Sequence, residues 1–287
     1  MAYRKILVPL TGSQRETHVL KAAFEVANAF AAHVAGVYAR PNPSDVLPYL
    51  GEGISASIVQ EIMDAARDAA IKSAAIARGT FEHHAKAVGA AVFNAPNGSG
   101  LSASFCVRDG GDEDVIAEEA RLSDLVVFDV PHESRDAAFR GVLESALLNA
   151  RRPLLLVPGE IRKIVGCKVA IGWDGGAAAA YAVCAAIPLL KRAEAIEILS
   201  VSSGPIETVQ MDRLRDYLRL HGLSATEHGI NPGGQSTASA LLDSAVRAGA
   251  GLLVVGGYGH SRWSELVWGG VTRHLLAHAT LPIFMAH

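Results

Sequence analysis

Little in this sequence is aromatic, and its charge leans to neither sign. Phe, Trp and Tyr together make up 6% of 287 residues. That is sparse for an all-β sandwich, and with alanine abundant the balance favours packed helices. Lysine plus arginine number 26 against 29 aspartates and glutamates, a net charge of -3. A nucleic-acid-binding domain would carry a basic excess, so no nucleic-acid partner is expected. Three cysteines, Cys106, Cys167 and Cys184, are scattered without a CxxC pair. This is the pattern of reduced thiols in a cytoplasmic protein, not of a disulfide framework. No uncharged apolar run reaches membrane-spanning length, so no membrane partner is expected. Met1 to Lys5 runs straight into a short apolar strand, without the long apolar region and small-residue cleavage site of a secretory signal. Also missing are a GxxxxGK[ST] phosphate loop and a G-x-S-x-G nucleophile elbow, although Ser261 and Ser264 lie on a loop.

What is present is a large apolar fraction, half of all residues, in a chain long enough for two domains of about 100–200 residues each. The chain repeats itself, and repeats are sought first because they decide the architecture. Lys5-Ile6-Leu7-Val8-Pro9-Leu10-Thr11-Gly12 aligns with Lys168-Val169-Ala170-Ile171-Gly172-Trp173-Asp174-Gly175. Each run leads into an alanine-rich helical pattern, with Leu20, Ala23, Ala27 and Phe30 on one face in the first copy. Ala180, Val183, Ile187 and Leu190 share a face in the second. A second apolar run follows in each copy, His33–Tyr38 and Ile196–Val201. Downstream, Asp124–Phe128 matches Gly251–Val255, and Arg152–Val157 matches Leu281–Ala286. Apolar strands alternating with amphipathic helices mean parallel strands buried on both faces, joined by right-handed crossovers. The expected fold is α/β: two tandem doubly wound domains, each an open, mainly parallel sheet of about five strands with helices on both faces. The domains would span residues 1–159 and 166–287, with a seam at Pro158–Lys163. Pro41–Ser57 and Asn94–Gly100, rich in Pro, Gly, Ser or Asn, read as loops.

Candidate chemistry concentrates late in the chain. The strand ending at Val255 runs into Gly256-Gly257-Tyr258-Gly259-His260-Ser261-Arg262, and ten residues after Gly259 comes Gly269-Gly270-Val271-Thr272, opening the last helix. Glycine lets a ligand approach the backbone without a Cβ in the way. The first turn of a helix offers N–H groups without intrahelical partners and partial positive charge, a setting for phosphate oxygens. Thr272 would add a hydroxyl donor and Arg262 a positive charge. Asp174 sits at the same sheet edge, where open α/β folds bind ligands; its carboxylate would either accept from a base or ribose edge or cap the helix starting near Ala177. Gly256 and Gly257 also fit a plain strand-to-loop turn, and Gly269 and Gly270 a plain helix entry.

The spacing Gly256, two residues, Gly259, nine residues, Gly269 resembles the nucleotide motif of the universal stress protein family, in its tandem two-domain form. Gly270 stands where that motif usually has Ser or Thr. The resemblance implies an adenine nucleotide alpha hydrolase-like fold and ATP or AMP bound in the second copy. Trp173 and Asp174 would lie beside the adenosine, and Val201 and Val255 along the base pocket. Gly256, Gly257, Gly259, Arg262, Gly269, Gly270, Val271 and Thr272 would hold ribose and phosphates. It further implies Mg2+ or Mn2+ on the phosphates, and an intramolecular pseudo-dimer in which Leu154–Val157 pairs with Ile283–Ala286, with a homodimer of whole chains open.

The first copy departs from the motif: Thr11 replaces Asp174, Asp129 replaces Gly256, His132 replaces Gly259 and Arg140 replaces Gly269. A carboxylate facing a phosphate costs several kcal/mol, roughly 4 at 4 Å with an effective dielectric of 20, so the first copy is expected not to hold ATP. Other candidates read as structural. His83 and His84 point about 100° apart on a helix and make a poor chelate. His274 and His278, four apart, lack a third ligand at motif distance. Trp263 and Trp268 read as packing residues and Cys184 as core. The expected function is a stress-response nucleotide-binding protein signalling by conformation or partner binding. The alternatives are a slow metal-dependent ATPase, with Glu265 the one acidic residue available on the loop, and a ligand-free interaction module.

Overall fold

The structure, a computed structural model, describes residues 2–13, 16–44, 55–94, 100–130, 137–159, 163–202, 208–257 and 270–287. In the first half the elements run β1 (Lys5–Pro9), α1 (Glu16–Phe30), β2 (His33–Arg40), α2 (Ala56–Ala87), β3 (Ala91–Phe93), β4 (Ser102–Asp109), α3 (Asp112–Ala120), β5 (Leu125–Asp129), α4 (Ala137–Glu144, continued by a π turn over Ser145–Asn149) and β6 (Leu154–Val157). The second half runs β7 (Lys168–Gly172), α5 (Ala177–Leu190), β8 (Ala195–Val201), α6 (Thr208–Leu220), β9 (Thr226–Ile230), α7 (Thr237–Arg247), β10 (Leu252–Gly256), α8 (Gly270–His278) and β11 (Ile283–Ala286). No helix is long and apolar enough to cross a membrane, among the described residues.

All eleven strands join one open sheet, in the order β3-β4-β2-β1-β5-β6-β11-β10-β7-β8-β9. The internal repeat is visible in its register. Ile6 and Leu7 pair with Leu125 and Val126; their counterparts Val169 and Ala170 pair with Leu252 and Leu253. Val126 pairs with Leu154, and its counterpart Leu253 with Ile283. Every pairing within a half is parallel. The halves meet in one antiparallel pair, with Ile283 opposite Leu156, Phe284 opposite Leu155 and Met285 opposite Leu154. That is the pairing the family resemblance implies. The halves differ in strand number: the first has six, because the short β3 adds an outer edge beyond β4. Two of its three residues are exposed, so it lacks the continuous apolar run by which buried strands are recognised.

The sheet divides the core into two layers. On one face α1, α2, α5 and α6 cover Ile6, Val8, Leu155, Ile171, Val254 and Phe284; on the other α3, α4, α7 and α8 cover Leu7, Val126, Leu156, Ala170, Leu253 and Met285. The alternation follows from the two-residue period of a strand. Polar contacts also bridge the halves. The Tyr3 hydroxyl donates to the Ala185 carbonyl at 2.8 Å. Glu25 Oε1 accepts from the Ile164 and Val165 amides at 2.8 and 2.9 Å. The Arg192 guanidinium lies 4.7 Å over the Phe30 ring.

Cys184 corrects the sequence-based assignment to the core. Its thiol is exposed and sits 3.2 Å from the Tyr217 hydroxyl. The buried stripe of α5 runs through Ala178, Ala179, Ala182, Val183, Ala186, Ile187 and Leu190, and the next position round, at 100° per residue, turns outward.

Phe284 is wholly buried at the junction of the halves. Phe284→Ala is expected to destabilise the protein by about 3–5 kcal/mol, read as a lowered midpoint in urea denaturation.

Candidate functional site

In the second half the strand order reverses between β7 and β10, and ligands of open α/β sheets bind at the carboxyl ends of such a pair. Those ends carry Trp173 and Asp174 on one side and Gly256 and Gly257 on the other. Asp174 is exposed, and its Oδ1 accepts from the Gly176 amide at 2.8 Å, turning the chain into α5. The N-cap of α5 is Gly176, not Asp174, and no side chain caps it. The first-turn amides of α5 are thus left to the surroundings.

Gly256 lies directly beneath that first turn. A Cβ at Gly256 would fall 2.4 Å from the Ala179 nitrogen and 2.7 Å from the Ala178 carbonyl carbon; one at Gly257 would fall 2.9 Å from Met285 Sδ. Packing against backbone therefore demands glycine at Gly256, whereas at Gly257 the neighbours are flexible side-chain ends that can shift. Gly270, the first residue of α8, has open space around its Cβ position. Val271 is exposed, whereas Thr272 is buried with Leu275 and Leu276. Gly259, Arg262 and Gly269 lie outside the described residues, as do Ser261, Trp263, Ser264, Glu265 and Trp268.

The structure does not bring all the proposed nucleotide contacts together. Val201 and Val255 pack in the α7–α8 layer, while Trp173 packs in the α5–α6 layer. There it lines a cavity of about 380 Å³ with Val183, Cys184, Arg213 and Tyr217. Trp173 is thus on the opposite face of the sheet from the two valines, because neighbouring strand-end residues point to opposite sides. The other sequence candidates are peripheral: His274 and His278 stack at 4.2 Å on α8, and His83 and His84 meet edge-on near the end of α2. No group of three or more His, Cys, Asp or Glu side chains is placed to hold a metal ion, among the described residues.

The equivalent edge of the first half is built from different residues. Thr11 and Gly12 follow β1, and Gly12 shares a left-handed backbone with its counterpart Gly175, φ +83° and +74°. Glu16, buried at the start of α1, stands where the second half has Ala179. Its Oε1 accepts from the amides of Thr11, Gly12 (2.6 Å) and Ser13 (3.2 Å) and from the Thr11 hydroxyl. The chain's own carboxylate therefore occupies amides that would otherwise face an anion. Asp129, in place of Gly256, pairs with His18 Nε2 at 2.9 Å. Around them lies a cavity of about 460 Å³, lined also by Tyr38, Asp112, Phe128 and Phe139. Burial, then neighbouring Glu113, pushes the Asp112 carboxyl above the usual range. Sequence reasoning missed Glu16, although Ser13-x-x-Glu16 is the spacing of a capping box, in which a Glu reaches back to the backbone before its helix.

Solved structures of known proteins resemble this chain along nearly its whole length. A universal stress protein from Archaeoglobus fulgidus DSM 4304 superposes with a TM-score of 0.70 at 14% identity, over 99% of this chain and 96% of its own. The fold is that of the universal stress proteins. A functionally unknown protein from Pseudomonas aeruginosa PAO1 matches with a TM-score of 0.57 at 16% identity, over 99% and 92%. The cytoplasmic domain of a prokaryotic cation chloride cotransporter matches with a TM-score of 0.50 at 14% identity, over 99% and 95%. The universal stress protein fold thus recurs among proteins of different description, and the ligand must be argued from the site. No family model and no curated protein matches the sequence.

Gly256→Ala is expected to lower stability by about 1–3 kcal/mol through overpacking against α5, measured by denaturant titration of nucleotide-free protein. Gly270→Ala, in open space, is expected to stay within about 0.5 kcal/mol.

Proposed function

We propose that this chain is a nucleotide-binding universal stress protein that takes ATP or AMP at the carboxyl edge of its second half. The contrast between the halves carries this reading. Where the first half places the carboxylates of Glu16 and Asp129, the second places Ala179 and Gly256. The start of α5, whose N-cap Gly176 has no capping side chain, and the glycine-opened start of α8 suit the oxygens of a phosphate chain. Asp174, at the end of β7, accepts from a ribose or base edge. Val201 and Val255 form the apolar side of the base pocket. Gly256, Gly257, Gly259, Gly269, Gly270 and Val271 supply backbone, and Arg262 supplies charge. A divalent cation, Mg2+ or Mn2+, would be carried mainly by the phosphates. Residues 1–159 and 166–287 would then be two domains, of which the first supports the second through the β6–β11 junction, in a cytoplasmic protein that signals through the bound nucleotide.

Mass spectrometry of small molecules released on denaturation tests the ligand: ATP or AMP at up to one per chain is expected. A chain that carries none and shows no heat of binding with millimolar ATP or AMP is a ligand-free module instead. Gly270→Asp separates binding from folding. An aspartate there fills open space and suits the positive end of α8, so thermal stability is expected to hold. ATP affinity measured by calorimetry is expected to fall tenfold or more, because the new charge opposes the phosphates.

A further inference from the structure

We propose that the cavity of the first half is a second ligand site, one that binds an organic cation: an amine carried on a flat apolar body. Its volume of about 460 Å³ is within the range of small-molecule sites, roughly 300–1,000 Å³. Its lining joins three carboxylates, Glu16, Asp112 and Asp129, to the aromatic rings of Tyr38, Phe128 and Phe139, and no Lys, Arg or His is among the described residues that line it. Phe128 and Phe139 meet edge to face, 5.8 Å between centroids, forming one apolar wall.

Glu16 makes this more than an acidic cluster. The residue is only 6% exposed, and while Oε1 takes the loop amides, Oε2 is buried with no hydrogen-bond partner among the described residues. An unmet buried acceptor is costly, and a charged donor answers it best. An ammonium brings three N–H donors and a positive charge, and aromatic faces attract the same charge. A phosphate or carboxylate ligand would meet like charge from Glu16 and Asp112 instead; Asp129 is paired with His18 at 2.9 Å. The site is in the opposite half from Gly256–Thr272, and the proposal stands or falls independently of the nucleotide.

Calorimetry of the full chain with tryptamine and tyramine, against indole-3-propionate and 4-hydroxyphenylpropionate as carboxylate partners of similar shape, tests it. Saturable binding of at least one amine, one per chain, is expected, with none for the carboxylates and no competition from ATP. Glu16→Gln keeps an oxygen for the loop amides but presents an N–H where Oε2 stood, and tenfold weaker amine binding is expected. If that variant fails to fold by circular dichroism, Asp112→Asn, at an exposed helix start, is expected to weaken binding at least threefold. Absence of saturable amine binding at millimolar concentration, equal binding of the carboxylates, or full affinity in the folded variants overturns the proposal.

Discussion

The antiparallel pairing of Leu154–Leu156 with Ile283–Met285 governs the arrangement of everything else. Each half is parallel throughout, so each has one carboxyl edge, and that edge is where an open α/β sheet offers helix starts and loops to a ligand. Joining two parallel sheets through one antiparallel pair reverses the second relative to the first. The two carboxyl edges therefore face opposite ends of a single eleven-stranded sheet. No ligand can touch both. Any influence of one edge on the other must pass through the packed strands between them, where Leu155, Leu156, Phe284 and Met285 are wholly buried and such cores resist gradual deformation.

Within this frame the two edges are copies that differ in charge. The register of β1 on β5 repeats in that of β7 on β10, so Glu16 and Ala179 occupy matching places, as do Asp129 and Gly256. Two substitutions of small, neutral residues by carboxylates change what the edge can accept. At the first edge the backbone amides are satisfied internally by Glu16 and the surrounding surface is acidic. At the second, the start of α5 has no capping side chain. The same backbone geometry thereby carries two carboxylates more at the first edge, with the fold unchanged.

Much of this was legible in the sequence. The strands stand out because parallel strands buried on both faces read as continuous apolar runs, and the repeat stands out because both copies keep those runs at the same spacing. What escaped has physical reasons. The edge strand β3 is short and exposed, with a neighbour on one side only, so no apolar run marks it. Cys184 sits one step round α5 from Val183, a difference of angle that composition does not reveal. The family resemblance implies Trp173 together with Val201 and Val255, and the pleat puts Trp173 on the opposite face of the sheet from the two valines. The bonds of Glu16 to Thr11 and Gly12 depend on how the loop after β1 folds back over the helix start, which the capping spacing at Ser13 only hints at.

The glycines show how a motif and a packing constraint can coincide. Gly256 has the backbone of the α5 start against it and is required whether or not a ligand is present; Gly257 has the flexible side chains of Met285 and Leu147 against it and is less constrained. Gly270 is different: no described residue occupies the space a side chain would fill there, and helix interiors and entries accept most other residues more readily than glycine. At a helix start a glycine leaves the backbone open to approach from outside the chain, although the motif this segment resembles usually has Ser or Thr at Gly270. Among the described residues, packing therefore fixes Gly256 and leaves Gly270 unconstrained.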